Sequence, residues 1–186
     1  PVGSFSITQV DRDARQNGRE ALGADYITQV NLDRHHKNPK VFAHLARTNP
    51  GHKFLAVRGA YGEQDVPQLP NVTVLENGSR SVAVALARSK LLLQPSTKES
   101  YGMTIAEAIM SSVPVISSDL PGPREAAGDA AIYVADLDNL DDWSRAFGLA
   151  LHYHPRMQAD CRARAEVLAA RERAELDATF EALVDV

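Results

Sequence analysis

Two carboxylates, Glu99 and Glu107, stand eight residues apart on either side of Gly102 in the stretch "PSTKESYGMTIAEA", Pro95 to Ala108. Carboxylates accept hydrogen bonds from hydroxyl groups, and a glycine at a helix start lets backbone amides close on an anion. Such a stretch could hold a phosphate with a hydroxyl-bearing ring on each side of it. A plainer reading is a capping box, in which the Thr104 hydroxyl takes one free amide of the first turn and Glu107 reaches back to another. Glu99 would then be a solvated loop residue. These residues alone leave both readings open.

Either reading needs elements to position it, and the chain alternates short apolar strands with helical stretches. "DYITQVN" (25–31) reads as a first strand, and "NPKVFAHLART" as a helix with Asn38 as its N-cap and Pro39 at the first helical position. "HKFLAVRG", ending at Gly59, and "NVTVLE" (71–76) read as the second and third strands, with "AYGEQDVPQLP" as the loop between them. "SRSVAVALARS" reads as a helix capped near Ser79. "KLLLQP" reads as the fourth strand, its three consecutive leucines being what a strand buried on both faces should carry. "VPVISS" and "AAIYVAD" supply two more strands around the short helical turn "GPREAAG". Leu140, Trp143, Phe147 and Leu151 then form one apolar stripe at helical spacing. The segment 155–186 reads as one or two further helices, with Leu176, Phe180 and Leu183 on one face. The alternation predicts an α/β, Rossmann-like doubly wound parallel sheet of about six strands, because parallel neighbours need crossover connections. Ligands in such sheets bind beyond the carboxyl ends of the strands, where the opening stretch falls.

Composition narrows the setting. With 186 residues, 44% hydrophobic and 24% charged, the chain is ordinary globular material with one core. A net charge of -4 offers no broad positive field for nucleic acid or anionic lipid, and no apolar run is long enough to span a membrane. The single cysteine, Cys161, excludes an internal disulfide and fits a reducing, cytoplasmic setting. "DLD", Asp136 to Asp138, imitates a metal motif, but Asp138 reads better as the N-cap of the helix that follows. His35 and His36 lack further ligands at zinc spacing, so no metal is expected.

"PSTKESYGMTIAEAIMSSVPVISSDLPGPREAAGDAAIYVADLD" resembles the carboxyl-terminal half of family-four retaining glycosyltransferases, glycosyl transferases group 1 with the GT-B fold. It carries the PS dipeptide, the E-x7-E spacing with an internal glycine, the PVI strand and the PGPxE turn. The resemblance implies that Glu99 faces the hydroxyls of the transferred sugar and that Glu107 holds a ribose. It implies that the amides of Tyr101, Gly102, Met103 and Thr104 hold the donor phosphates. The family's GR-x4-K segment resembles "NLDRHHK", placing Lys37 where the leaving diphosphate is neutralised. Asn31 and Leu32 replace the glycine and arginine, and Arg34 is the candidate substitute for the missing cation. Glu125, in "PGPRE", either approaches the donor site or pairs with Arg124. The base is expected against main chain near Leu75 and Glu76. Ser112 stands where the family often has glycine.

The implied function is donor binding in a hexosyltransferase of polysaccharide biosynthesis, with a UDP- or GDP-linked sugar and no metal or other cofactor. The acceptor, a glycan or lipid-linked sugar, would be bound by an N-terminal domain in cis or in trans, and without it this chain would bind donor but transfer nothing. Residues 1–24 would be an extension or linker, 25–154 the nucleotide-sugar-binding domain, and 155–186 helices completing it. The alternative is a non-catalytic GT-B-like regulatory or interaction module that has lost donor binding; a GT-B-like sugar epimerase fits the motif less well.

Overall fold

The computed structural model describes residues 25–59, 65–76 and 81–184, with side chains described to residue 178. The extension 1–24, part of the loop after Gly59, the cap at Ser79, and the side chains of Phe180 and Leu183 lie outside them. Six parallel strands form one sheet: β1 (Tyr26–Val30), β2 (Lys53–Val57), β3 (Val72–Leu75), β4 (Ser89–Gln94), β5 (Val115–Ser118) and β6 (Ala131–Val134). Their order is β3-β2-β1-β4-β5-β6, which is the doubly wound arrangement expected from the alternation. The order reverses between β1 and β4, so the connections leaving those two strands diverge and open a crevice at their carboxyl ends.

The strands alternate apolar residues between two cores, which is why they carry few surface residues. On one face Ile27, Phe54, Ala56, Leu91, Leu93 and Ile116 meet α1 (Pro39–Thr48) and α5 (Leu140–His152). On the other, Val30, Leu55, Val57, Leu92 and Val115 meet α2 (Ser81–Ala87), α3 (Met103–Met110), α4 (Pro121–Ala127) and α6 (His154–Val184). The stripe read on α5 is buried as expected, with Trp143 fully enclosed and its indole N–H donating to the Leu137 carbonyl at 3.3 Å. Segment 155–186 is one helix through Val184 rather than two. Among the described residues no helix is long and apolar enough to cross a membrane. Cys161 is buried, with its thiol against the Val113 and Ala130 carbonyls.

Two capping expectations are corrected and a third is met in position alone. Helix α3 starts at Met103 behind Gly102, which is left-handed at φ 90°, so Thr104 lies inside the helix and cannot cap it. The Gly102 carbonyl already accepts from Ile105 N at 2.8 Å and Ala106 N at 3.1 Å, so the capping box read on Thr104 and Glu107 is not formed. Asn139, not Asp138, caps α5 by accepting from Asp141 N at 3.1 Å. Asp138 is turned away to Lys40 Nζ, 2.5 Å distant. Asn38 is the N-cap residue of α1 as expected, with Pro39 following it, but it is left-handed at φ 51° and its side-chain amide donates to the Leu137 carbonyl at 3.3 Å, so it makes no side-chain cap bond.

The two departures in "NLDRHHK" have backbone and packing reasons. Asn31 is left-handed at φ 55°, a conformation for which asparagine is among the best-tolerated replacements of glycine. Ser112, φ 55°, is in the same position before β5. Leu32 is fully buried in the α1-side core and its N–H donates to the Val57 carbonyl at 3.2 Å, so its side chain is part of the core and not of the crevice. Helix α4 meets the stretch that opens on Glu99 almost backbone to backbone, because a Cβ at Gly122 would collide with the Ser100 carbonyl.

Two stability outcomes follow. Leu32→Arg, although it restores the family's residue, places an unpaired charge in the core and should cost about 3–5 kcal/mol in denaturant unfolding; an unchanged midpoint would refute the core assignment. Gly122→Ala should cost about 1–3 kcal/mol by overpacking and speed amide exchange at Ser100 and Tyr101, whereas a neutral effect would show that α4 does not brace that stretch.

Candidate functional site

The loop leaving β1 and the loop leaving β4 face each other across the crevice at the reversal of strand order. A 3-10 turn at His35–Lys37 brings the Lys37 ammonium 2.7 Å from Glu99 Oε2. Both side chains are largely enclosed, 10% and 15% exposed, so the pair is not a surface contact of negligible strength. The backbones are joined as well: Thr97 N donates to the His36 carbonyl at 2.8 Å. Lys37 and Glu99, read separately from two distant motifs, are thus brought together.

Two buried glutamines hold the pair from beneath. Gln29, on β1, donates to the Lys37 carbonyl at 2.6 Å. Gln94, the last residue of β4, donates to Glu99 Oε2 at 2.9 Å and to the Ser96 hydroxyl at 3.2 Å. Burial by itself would raise the Glu99 carboxyl. The hydrogen bond and charge of Lys37, the Gln94 amide and the charge of His36 outweigh it, and Glu99 is held below the ordinary glutamate value. Sequence reasoning missed both glutamines. Their signal was a polar residue in strands otherwise apolar on both faces, "LLLQ" above all.

The amides of Gly102, Met103 and Thr104 precede Ile105, whose amide is the first bonded back to Gly102, so the start of α3 is an anion-accepting helix end. Gly102 is favoured there by its φ of 90°, and a Cβ would also stand 2.9 Å from Ile105 Cδ1, the end of a side chain that would have to shift. Met103 is exposed at the first helical position. The Tyr101 side chain leaves the turn and packs on the α6-side core, where burial pushes its hydroxyl up among the charges of Arg171, Glu125, Arg164 and Glu175. Only its backbone can belong to the turn. Glu107 is half-buried one turn into α3, and its carbonyl accepts from Ser111 N at 3.1 Å.

Arg34 precedes the 3-10 turn in extended conformation, and its Nε would lie 3.4 Å from a Cβ at Gly59, at the carboxyl end of β2. Among the described residues it has no acidic partner within ion-pair distance, which distinguishes it from Arg58, set between Asp33 and Glu76 at 3.7 and 3.8 Å. Glu125 does not pair with Arg124. Arg124 is taken by both oxygens of Asp119 and lies over the Tyr133 ring, and Glu125 instead meets Arg171 of α6 at 3.2 Å. Among the described residues no three His, Cys, Asp or Glu side chains are grouped to hold a metal. A cavity of about 220 Å³ opens at the amino end of β6, against Ala131, Tyr153 and Met157, remote from the crevice.

Solved structures share this architecture. HepE of Anabaena, in complex with UDP and glucose, matches with a TM-score of 0.73 at 16% identity, covering 96% of this chain and 53% of HepE. Sucrose-phosphate synthase of Thermosynechococcus elongatus matches at 0.72 and 16% identity, covering 91% of this chain and 49% of the enzyme. A glycosyltransferase of Rickettsia africae matches at 0.66 and 14% identity, covering 96% and 53%. The chain therefore spans about half the length of these GT-B proteins. No curated protein matches it in sequence. Residues 11–167 match the family described as glycosyl transferases group 1, and over that length the chain belongs to it.

Proposed function

We propose that this chain is the donor-binding domain of a retaining glycosyltransferase that acts on a UDP- or GDP-linked sugar in the cytoplasm. The observation that carries the reading is the Lys37–Glu99 pair, enclosed at the β1/β4 reversal beside the amino end of α3. Family membership supports it, as do neighbours crystallised with UDP and UDP-glucose. Residues 25–154 form the nucleotide-sugar-binding unit, completed by the helices of 155–186. The acceptor is bound by a second domain, in cis or in trans, and the chain alone does not turn over.

In this reading the donor lies along the crevice. The amides of Tyr101 to Thr104 hold its phosphates, Glu107 its ribose, and Glu99 the hydroxyls of its sugar. An ammonium has three N–H donors, and Glu99 uses one of those on Lys37, so two remain for phosphate oxygens. As the bond from the anomeric carbon to the phosphate oxygen lengthens, negative charge collects on the diphosphate. Lys37 and the amides of α3 stabilise that charge in place, without reorganising. Arg34, free of acidic partners among the described residues, is the second cation, taking the task for which Leu32 is unavailable. No divalent metal is required.

Titration of the chain with UDP, GDP and their sugars, followed by thermal shift, tests this directly. Binding should add about 2.7 kcal/mol of stability at a ligand concentration of 100 Kd. Arg34→Ala should weaken nucleotide binding about ten-fold, as the loss of one charged hydrogen bond would. No response to any nucleotide, with the fold intact, would favour the non-catalytic module, a reading to which the buried Leu32 lends some support.

The Glu99 carboxyl gives a pH test with a definite sign. Its lowered value means that its contribution to stability is present above about 4.5 and is lost only as the pH falls through the folded value. Lys37→Met removes the main lowering cause and leaves burial opposed only by the Gln94 amide and the charge of His36, so Glu99 should then protonate at a higher pH than in the wild type. The extra affinity due to the sugar should persist into acid in the wild type and fall at higher pH in Lys37→Met. Coincident pH profiles would refute the pairing.

A further inference from the structure

Gln94 is 1% exposed and closes β4 beneath Glu99. Its amide N–H group reaches Glu99 Oε2 at 2.9 Å, the same oxygen that receives the Lys37 ammonium at 2.7 Å. Among the described residues Glu99 Oε1 has no such bond. Gln94 also keeps its own Oε1 buried without a donor, an arrangement unfavourable for a neutral amide. A carboxylate can only accept, so an ionised Glu99 forces the amide to turn its N–H group upward, and the charged hydrogen bond offsets the orphaned carbonyl.

We infer that Gln94 is a positioning residue for Glu99: with Lys37 it fixes one carboxylate oxygen, so that the other, Oε1, is the oxygen presented to the sugar. This rests on the reading of Glu99 as the sugar-facing carboxylate. Lys37 approaches from the β1 side and Gln94 from below, so the two together define the plane of the carboxylate, which Lys37 alone leaves free to rotate. Ser96, fully buried, holds the Gln94 amide through a second bond at 3.2 Å and so limits its own rotation. Hydroxyls of a bound sugar then meet an acceptor already oriented, with less conformational freedom to lose.

The test uses the intact chain and Gln94→Met, which keeps length and apolar bulk but removes the amide. The Glu99 carboxyl, followed by ¹³C NMR with and without the substitution, should titrate at higher pH in Gln94→Met. Affinity for UDP or GDP alone should not change, while the gain in affinity on adding the sugar should fall about ten-fold. An unmoved titration in a folded variant overturns the inference, and so does an equal loss for nucleotide and nucleotide sugar, which marks a merely structural role. If the wild type gains affinity from the sugar and Gln94→Met keeps that gain, this inference fails and the donor reading stands. If the sugar adds nothing in the wild type, the reading of Glu99 fails and takes this inference with it. Should Gln94→Met not fold, Gln94→Leu removes the same donor without adding a charge, and the same upward titration is expected; its absence is equally decisive.

Discussion

The ion pair between Lys37 and Glu99 is the constraint around which the crevice is organised. Its members come from loops that follow strands far apart in sequence, and they meet only because β1 and β4 are neighbours in the sheet. A sheet wound in one direction throughout would have sent both loops over the same face. Reversal at β1/β4 sends the helix after β1 to one face and the helix after β4 to the other, leaving the space that the pair occupies. Enclosing two charges is costly unless each finds further partners. Here Gln94 gives the Glu99 carboxylate a second donor, while Gln29, on the opposite face of the sheet, bonds the backbone carbonyl of Lys37 and fixes the turn that carries its ammonium.

Support for the Glu99 side runs outward through α4 to α6. The absence of a side chain at Gly122 lets the start of α4 press on the Ser100 carbonyl, one residue beyond Glu99. At the other end of α4, Arg164 donates to the carbonyls of Glu125 and Ala126, which are among those that a helix end leaves without internal partners. Arg171 adds a contact to the Glu125 carboxylate. The Tyr133 hydroxyl, pushed up to about 12 by burial, donates to the Gly128 carbonyl at 2.7 Å and remains a donor at any physiological pH. Helix α6 therefore acts as a brace: it fixes α4, and α4 fixes the stretch that carries Glu99.

What could be read from the chain and what could not divides along physical lines. Strand and helix alternation was legible because burial on both faces leaves consecutive apolar residues such as the three leucines of "KLLLQ", and the stripe on α5 because one face of it lies on the core. Helix caps were not, since the deciding factor was backbone conformation: a left-handed Gly102 moved the start of α3 and took Thr104 out of the capping position. Ion pairs between elements were also illegible. Arg124 prefers Asp119, five residues before it, and Glu125 prefers Arg171, 46 residues after it, and neither choice follows from adjacency in "PRE". The Glu99 and Lys37 positions were legible through the resemblance of their segments to a family's motifs, but the glutamines beneath them were not. A buried polar residue announces itself only as an interruption of an apolar pattern, and its partner is fixed by the fold.

The buried Leu32 has a consequence for the charge at the crevice. A diphosphate needs cations that are held but not neutralised, and this chain has given the side chain at one candidate position to the core. Asp33, 1% exposed, accepts from Gly59 N at 2.6 Å and so ties the loop after β1 to the end of β2. That tie holds Arg34, the next residue, beside Gly59 at the carboxyl end of β2. Arg58 is less suited to the task, because Asp33 and Glu76 both lie within 4 Å of it and already offset its charge. Lys37 is itself paired with Glu99, so the pair brings little net charge to the crevice before ligand arrives. Arg34 then carries a positive charge with no acidic partner among these described residues, and under the donor reading proposed above the attraction for an incoming diphosphate would fall chiefly on it and on the amides of α3.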